Sequence, residues 1–168
     1  MISDSDCIYA RIYRWTYGTA RVAKILRALD IACVALTACA YLFALIFKGV
    51  SEKSLMTPLR LAITTGVPFL AVSLLRHILD LPRPREVFEI DFLPGKKMGK
   101  SFPSRHVFSA FAIGTALCFT ILPLGITVLI LGFVTAGCRV CLGNHFIRDV
   151  IAGALIGTAC SVIGMLIL

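Results

Sequence analysis

Long uncharged apolar runs, separated by short charged or proline-containing breaks, make up most of this chain. They occupy residues 31–47, 61–75, 107–122, 124–138 and 150–168. Each is close to, or slightly short of, the ~20 residues that carry a helix across a bilayer. The pattern predicts an all-α integral membrane bundle of five transmembrane helices. Ahead of the first run, Tyr9, Ile12, Tyr13, Trp15 and Tyr17 are interleaved with Arg11, Arg14, Arg21, Lys24 and Arg27. A stretch so charged does not span, but it suits a helix lying in the headgroup layer, so residues 1–28 are expected to form an interfacial segment. It is no cleavable signal, because about thirty charged and aromatic residues precede the apolar run. Pro123 marks a tight turn that makes the third and fourth spans antiparallel. Gly114, Gly125, Gly132, Gly137 and the Gly153-x-x-x-Gly157 pair allow close helix approach.

Composition sharpens this picture. With 168 residues, 58% hydrophobic content and a mean hydropathy of +0.91, the chain lies outside the soluble range and reads as one domain, 1–168. A net charge of +8 invites a nucleic-acid partner, but the distribution argues against one. Five spans place 1–28, 76–105 and 139–149 on one side, with 14 of the 17 Lys and Arg residues; Lys48, Lys53 and Arg60 lie opposite. Such a face meets anionic lipid or an anionic substrate, and the positive-inside tendency puts it in the cytoplasm of a multi-pass cell-membrane protein. The seven cysteines, an odd number lying largely within apolar runs, read as small core residues in a reducing setting. Cys138 and Cys141 with His145 make at most a zinc half-site, lacking a fourth ligand. Asp80, Glu86, Glu89 and Asp91 form no obvious divalent cage. No metal or other cofactor is expected.

Three polar clusters border the apolar runs. Arg76 and Arg83-Pro84 lie seven positions apart, and Pro82 and Pro84 leave Arg83 on an extended segment; ordinary flanking charge is the competing explanation. Pro103-Ser104-Arg105-His106 opens the third span, with Ser104 a candidate N-cap beside free helix-start N–H groups that suit an anion. A capped helix with an incidental histidine explains it equally. Arg139, His145 and Asp149 open the last span. If 145–149 is helical, the i,i+4 spacing lets the carboxylate orient the imidazole, although such pairs also occur as plain structural contacts. Between the first two clusters, the loop 85–102 mixes apolar residues with Lys96, Lys97 and Lys100 and reads as a lid on the headgroups.

In order and position, the three clusters together resemble the type 2 phosphatidate phosphatase superfamily, which also includes vanadium haloperoxidases. The match covers residues 76–149. The chain departs from the usual pattern in having Arg76 for Lys, Arg105 for Gly and Cys138 for Ser, none of which removes a group that the chemistry requires. The resemblance implies a metal-independent membrane lipid phosphatase. His145 attacks phosphorus to form a phosphohistidine, Asp149 fixes its tautomer, and His106 serves the leaving oxygen and then water. Arg76, Arg83, Ser104, Arg105 and Arg139 hold the phosphoryl oxygens. Polyprenyl diphosphate, phosphatidylglycerophosphate and phosphatidate classes are all compatible, and the oligomeric state is undetermined. Alternatives are a lipid phosphotransferase and a non-catalytic anionic-lipid-binding protein.

Depth gives one more expectation. The uncharged stretches 61–75, 107–122 and 124–138 hold 15, 16 and 15 residues. Helices so short cover about 22–24 Å of a ~30 Å core. Arg76, His106 and Arg139 are therefore expected to lie about a turn below the surface.

Overall fold

The structure, a computed structural model, describes residues 8–87 and 99–168. Among them every regular element is helical: α1 (Ile8–Tyr17), α2 (Ala20–Ser51), α3 (Met56–Leu79), α4 (Pro84–Val87), α5 (Arg105–Cys118), α6 (Leu122–Cys141) and α7 (Ile147–Ile167). Four stretches are long and apolar enough to cross a membrane, namely α2, α6, α7 and residues 56–87 around α3. Their outward faces carry large exposed apolar side chains such as Phe43, Leu70, Phe133 and Leu155. That surface is stable against lipid tails and not against water. The chain is an integral membrane protein.

The expected interfacial segment divides in two. α1 ends at Tyr17, and after a break at Gly18-Thr19 the chain enters α2, which takes Arg21, Lys24 and Arg27 into the first spanning helix. No proline or glycine interrupts residues 20–48, and Ala, Arg and Lys are good helix formers, so nothing stops the helix at the membrane edge. At 32 residues α2 is about 48 Å long, and its basic first turns project beyond the hydrocarbon.

The shared shortfall predicted from the uncharged stretches holds for one helix only. α3 has 24 residues and α6 has 20, because each helix continues through its polar ends. α5 stays short, at 14 residues and roughly 21 Å. It is the central helix, packed against α7, α6, α3 and α2. Nine of its residues are buried, including Phe108, Ala112 and Leu117, so protein and not lipid surrounds most of it. Its contact with α7 is backbone against backbone. A Cβ on Gly153 would lie 2.7 Å from the Ser104 carbonyl oxygen, and one on Gly157 2.5 Å from that of Phe108. Only glycine permits that approach.

Arg76 is the fourth residue from the end of α3 and Arg139 the third from the end of α6, while His106 is the second residue of α5. These three polar residues thus lie within their helices and not in the flanking turns. The lid reading of 85–102 falls largely on residues 88–98, with Lys96 and Lys97, and lies outside the described residues.

Candidate active site

The segment before α5 is held in place from both sides. Asp80 ends α3 in a left-handed conformation, and its Oδ1 accepts the Lys100 N–H at 3.1 Å. Glu86 Oε1 accepts the N–H groups of Gly99 (2.8 Å) and Arg83 (3.3 Å). In the opposite sense, Arg76 donates to the carbonyls of Pro103 (2.9 Å) and Lys100, and Arg83 Nε donates to that of Gly99 (2.9 Å). Both arginines are buried. A guanidinium has five N–H donors, so each keeps donors for another acceptor after fastening the chain. Asp80 and Glu86 thus both hold backbone amides of the segment that leads into α5.

The other half of the site is the turn from α6 to α7. The Arg139 carbonyl accepts the Asn144 and His145 N–H groups, and Gly143 takes the positive φ that reverses the chain. The helical reading of 145–149 does not hold: Phe146 is the extended N-cap, and α7 begins at Ile147. Asp149 therefore occupies the third helical position. There its Oδ2 accepts the Phe146 N–H (3.0 Å), satisfying one of the orphan donors of a helix start. The same oxygen accepts the Ser101 hydroxyl and lies 3.7 Å from His145 Nδ1. This distance exceeds a hydrogen bond, but it turns Nδ1 toward the carboxylate and leaves Nε2 for the cavity. His145 and Asp149 are almost wholly enclosed, at 1% and 0% exposure. Burial pushes the His145 imidazole below its ordinary pKa, while Asp149 acts in the opposite direction. The ring is therefore neutral at neutral pH, with a lone pair available for bond formation.

The halves meet at a cavity of about 480 Å3 lined by Arg76, Arg83, Arg105, His106, Arg139 and His145 among others. These are six of the eight residues singled out from the sequence. Asp149 stands behind His145. Ser104 caps α5 without a side-chain bond to the helix, and its buried Oγ has no hydrogen-bond partner. Its N–H donates to the Asp149 carbonyl at 3.0 Å, tying the start of α5 to α7. Among the described residues no group of three or more His, Cys, Asp or Glu side chains is placed to hold a metal ion.

Sequence reasoning missed Asp30. Buried on α2, its Oδ1 accepts from Arg139 Nε at 2.9 Å, a pair 109 residues apart. The signal was present as an acidic residue one position before an apolar run, where a charge needs a partner. Also missed were Tyr17, Arg27, Arg85, Lys100 and Asn144 on the cavity wall. Arg85 donates to Asn144 Oδ1, and the Tyr17 hydroxyl donates to the Leu142 carbonyl at 3.2 Å. Tyr9 accepts the Ile147 N–H at 3.2 Å and meets Phe146 edge-on. Two tyrosines thus dock α1 onto the α6–α7 turn.

The family profile of the PAP2 superfamily matches residues 57–168. Two solved structures share the fold. LpxE from Aquifex aeolicus is 23% identical, with 98% of this chain and 99% of that chain covered at a TM-score of 0.63. A PAP2-type phosphatidylglycerolphosphate phosphatase from Bacillus subtilis is 18% identical, with 94% and 90% covered at 0.62. No curated protein matches the chain in sequence.

Proposed function

This chain belongs to the PAP2 superfamily, and we propose that it is a membrane lipid phosphatase, a phosphoric ester hydrolase that works through a phosphohistidine on His145 without a metal. The observation that carries this reading is the convergence on one cavity of a buried neutral imidazole backed by a carboxylate, a second histidine and three buried or half-buried arginines. Nε2 of His145 attacks phosphorus, and the bond to the leaving oxygen breaks as His106, protonated once the anionic phosphate is bound beside it, supplies its proton. His106 then takes a proton from the water that cleaves the phosphohistidine, releasing inorganic phosphate and restoring both histidines. Arg76, Arg83 and Arg139, with the Ser104 hydroxyl and the helix-start N–H groups of α5, bind the oxygens on which negative charge accumulates. Arg105 adds a further cation beside His106. The arginines supply the positive charge that a metal gives elsewhere.

Purified protein in detergent is expected to release inorganic phosphate from a long-chain lipid phosphate with the same rate in EDTA. Vanadate, which adopts the geometry of the phosphoryl transition state, inhibits it. Activity lost to EDTA and restored by Mg2+ or Zn2+ would overturn the metal-free mechanism.

The catalytic face is assigned to the cytoplasm of the cell membrane on the 14-to-3 asymmetry of basic residues. In a variant stripped of native cysteines, Lys24→Cys is expected to resist a membrane-impermeant thiol reagent in intact cells while Lys53→Cys reacts. The reverse pattern would place the site outside.

A further inference from the structure

The two faces of α1 have different surroundings. Tyr9, Ile12, Tyr13, Thr16 and Tyr17 recur at i, i+3, i+4, i+7 and i+8, the stripe of a helix packed on one side. Tyr13 and Thr16 are buried, and Tyr9 and Ile12 pack against a cluster formed by Val107, Phe111, Val140 and Val150. Val107, Val140 and Val150 directly follow His106, Arg139 and Asp149 in the chain. The inner face of α1 thus supports, from behind, the segments that carry the site. Its tyrosines also bracket the turn that holds His145, since Tyr17 donates to the Leu142 carbonyl and Tyr9 accepts the Ile147 N–H.

The opposite face presents Ile8, Arg11, Arg14 and Trp15, all exposed, with Ile8 at 59% and Trp15 at 63%. Trp15 is the single tryptophan of the chain. An exposed isoleucine and indole are unfavourable in water but suit the headgroup boundary, where tryptophan is enriched. Two arginines beside them match a negatively charged surface. With ten residues, α1 is shorter than the roughly 12–15 at which an isolated helix becomes even marginally stable. Its order therefore depends on what covers both faces. The protein covers one, and the short Gly18-Thr19 link to the first spanning helix keeps the other at the membrane surface.

We propose that the outer face of α1 binds anionic lipid headgroups, and that this contact sets the activity by holding the α6–α7 turn through Tyr9 and Tyr17. The partner is the charged surface of the leaflet, distinct from the substrate in the cavity. Headgroups at Arg11, Arg14 and Trp15 stabilise helical α1. Helical α1 then presents its tyrosines to Leu142 and Ile147, and His145, between those two anchors, keeps its aim at phosphorus. The proposal rests on the phosphatase reading and extends it from the reacting groups to what steadies them.

Protein in lipid nanodiscs tests this, because Trp15 reports docking directly and kcat for a soluble aryl phosphate does not depend on lipid dilution. In discs rich in phosphatidylserine, Trp15 emission is expected to shift to the blue and to be quenched by brominated lipid, more than in phosphatidylcholine alone. Wild-type kcat is expected to rise about fivefold or more, the weight of one basic residue at an anionic surface. Arg11→Gln/Arg14→Gln loses both responses and keeps the rate that wild type shows in phosphatidylcholine. Tyr9→Phe keeps the Trp15 response and loses the rise in kcat, a separation that a merely structural α1 does not produce. Equal wild-type kcat in the two lipids, or a full rise in either variant, would overturn the proposal and leave the phosphatase intact. A Trp15 shift that follows protein concentration and not lipid charge would place a second copy on this face and overturn the lipid assignment. Absence of phosphate release in every disc, from aryl phosphate and phosphatidate alike, would remove the parent reading.

Discussion

His145→Ala is expected to lower turnover by roughly four to six orders of magnitude, the scale on which removal of a nucleophile collapses a concerted catalytic group. The loss follows from how the residue is built in. Nδ1 faces Asp149 at 3.7 Å, the ring is 1% exposed, and Asp149 is fixed by Ser101 and the Phe146 N–H. No other imidazole can take that place. Wild type quenched during turnover should yield an acid-labile phosphoenzyme, and the variant none. Label trapped on a residue other than His145 would refute the assignment. Because burial holds this pKa below the ordinary imidazole value, the protonation of His145 limits the reaction only at a pH below about 6.5.

His106→Ala is expected to cost about 10²–10⁴-fold, the usual contribution of a positioned proton donor or acceptor. It affects two steps unequally. With an alkyl lipid phosphate both formation and hydrolysis of the intermediate slow. With an aryl phosphate, whose leaving oxygen departs without a proton, formation recovers while hydrolysis stays slow, so phosphoenzyme accumulates. Rapid-quench measurement of both steps checks this. Equal damage on aryl and alkyl substrates would mean that His106 does not protonate the leaving oxygen.

Much of the architecture could be read from the chain because membrane folding leaves a local signature. Uncharged runs mark α2, α3, α6 and α7, and Pro123 in the first turn of α6 marks the turn after α5. Helix ends were read less well. Arg76 and Arg139 look like flanking charges, yet each lies inside its helix, where the guanidinium finds carbonyl or carboxylate partners. The candidate site residues were visible because they fall in three clusters whose order and spacing resemble those of a known family. Asp30 was not, because an ion pair across 109 residues has no periodicity to reveal it. The position of Asp149 was read with the correct partner and the wrong backbone. Spacing of four fits a helix, but an extended Phe146 makes the same approach while allowing the carboxylate to cap α7.

The close contact of α5 with α7 bears on how far such a sequence can drift. Ser104 and His106 travel with one helix, and His145 and Asp149 with the other. Their relative placement is set by carbonyl oxygens that any residue possesses, 2.5 and 2.7 Å from where a Cβ of Gly157 or Gly153 would stand. Alignment of the reacting groups therefore depends on two positions lacking a side chain, and very little on which apolar side chains fill the remaining interfaces. Lipid-facing positions can exchange one hydrocarbon for another, and core positions can repack at similar volume. A sequence under these conditions can change most of its letters and keep its geometry, and a protein only 23% identical has the same fold.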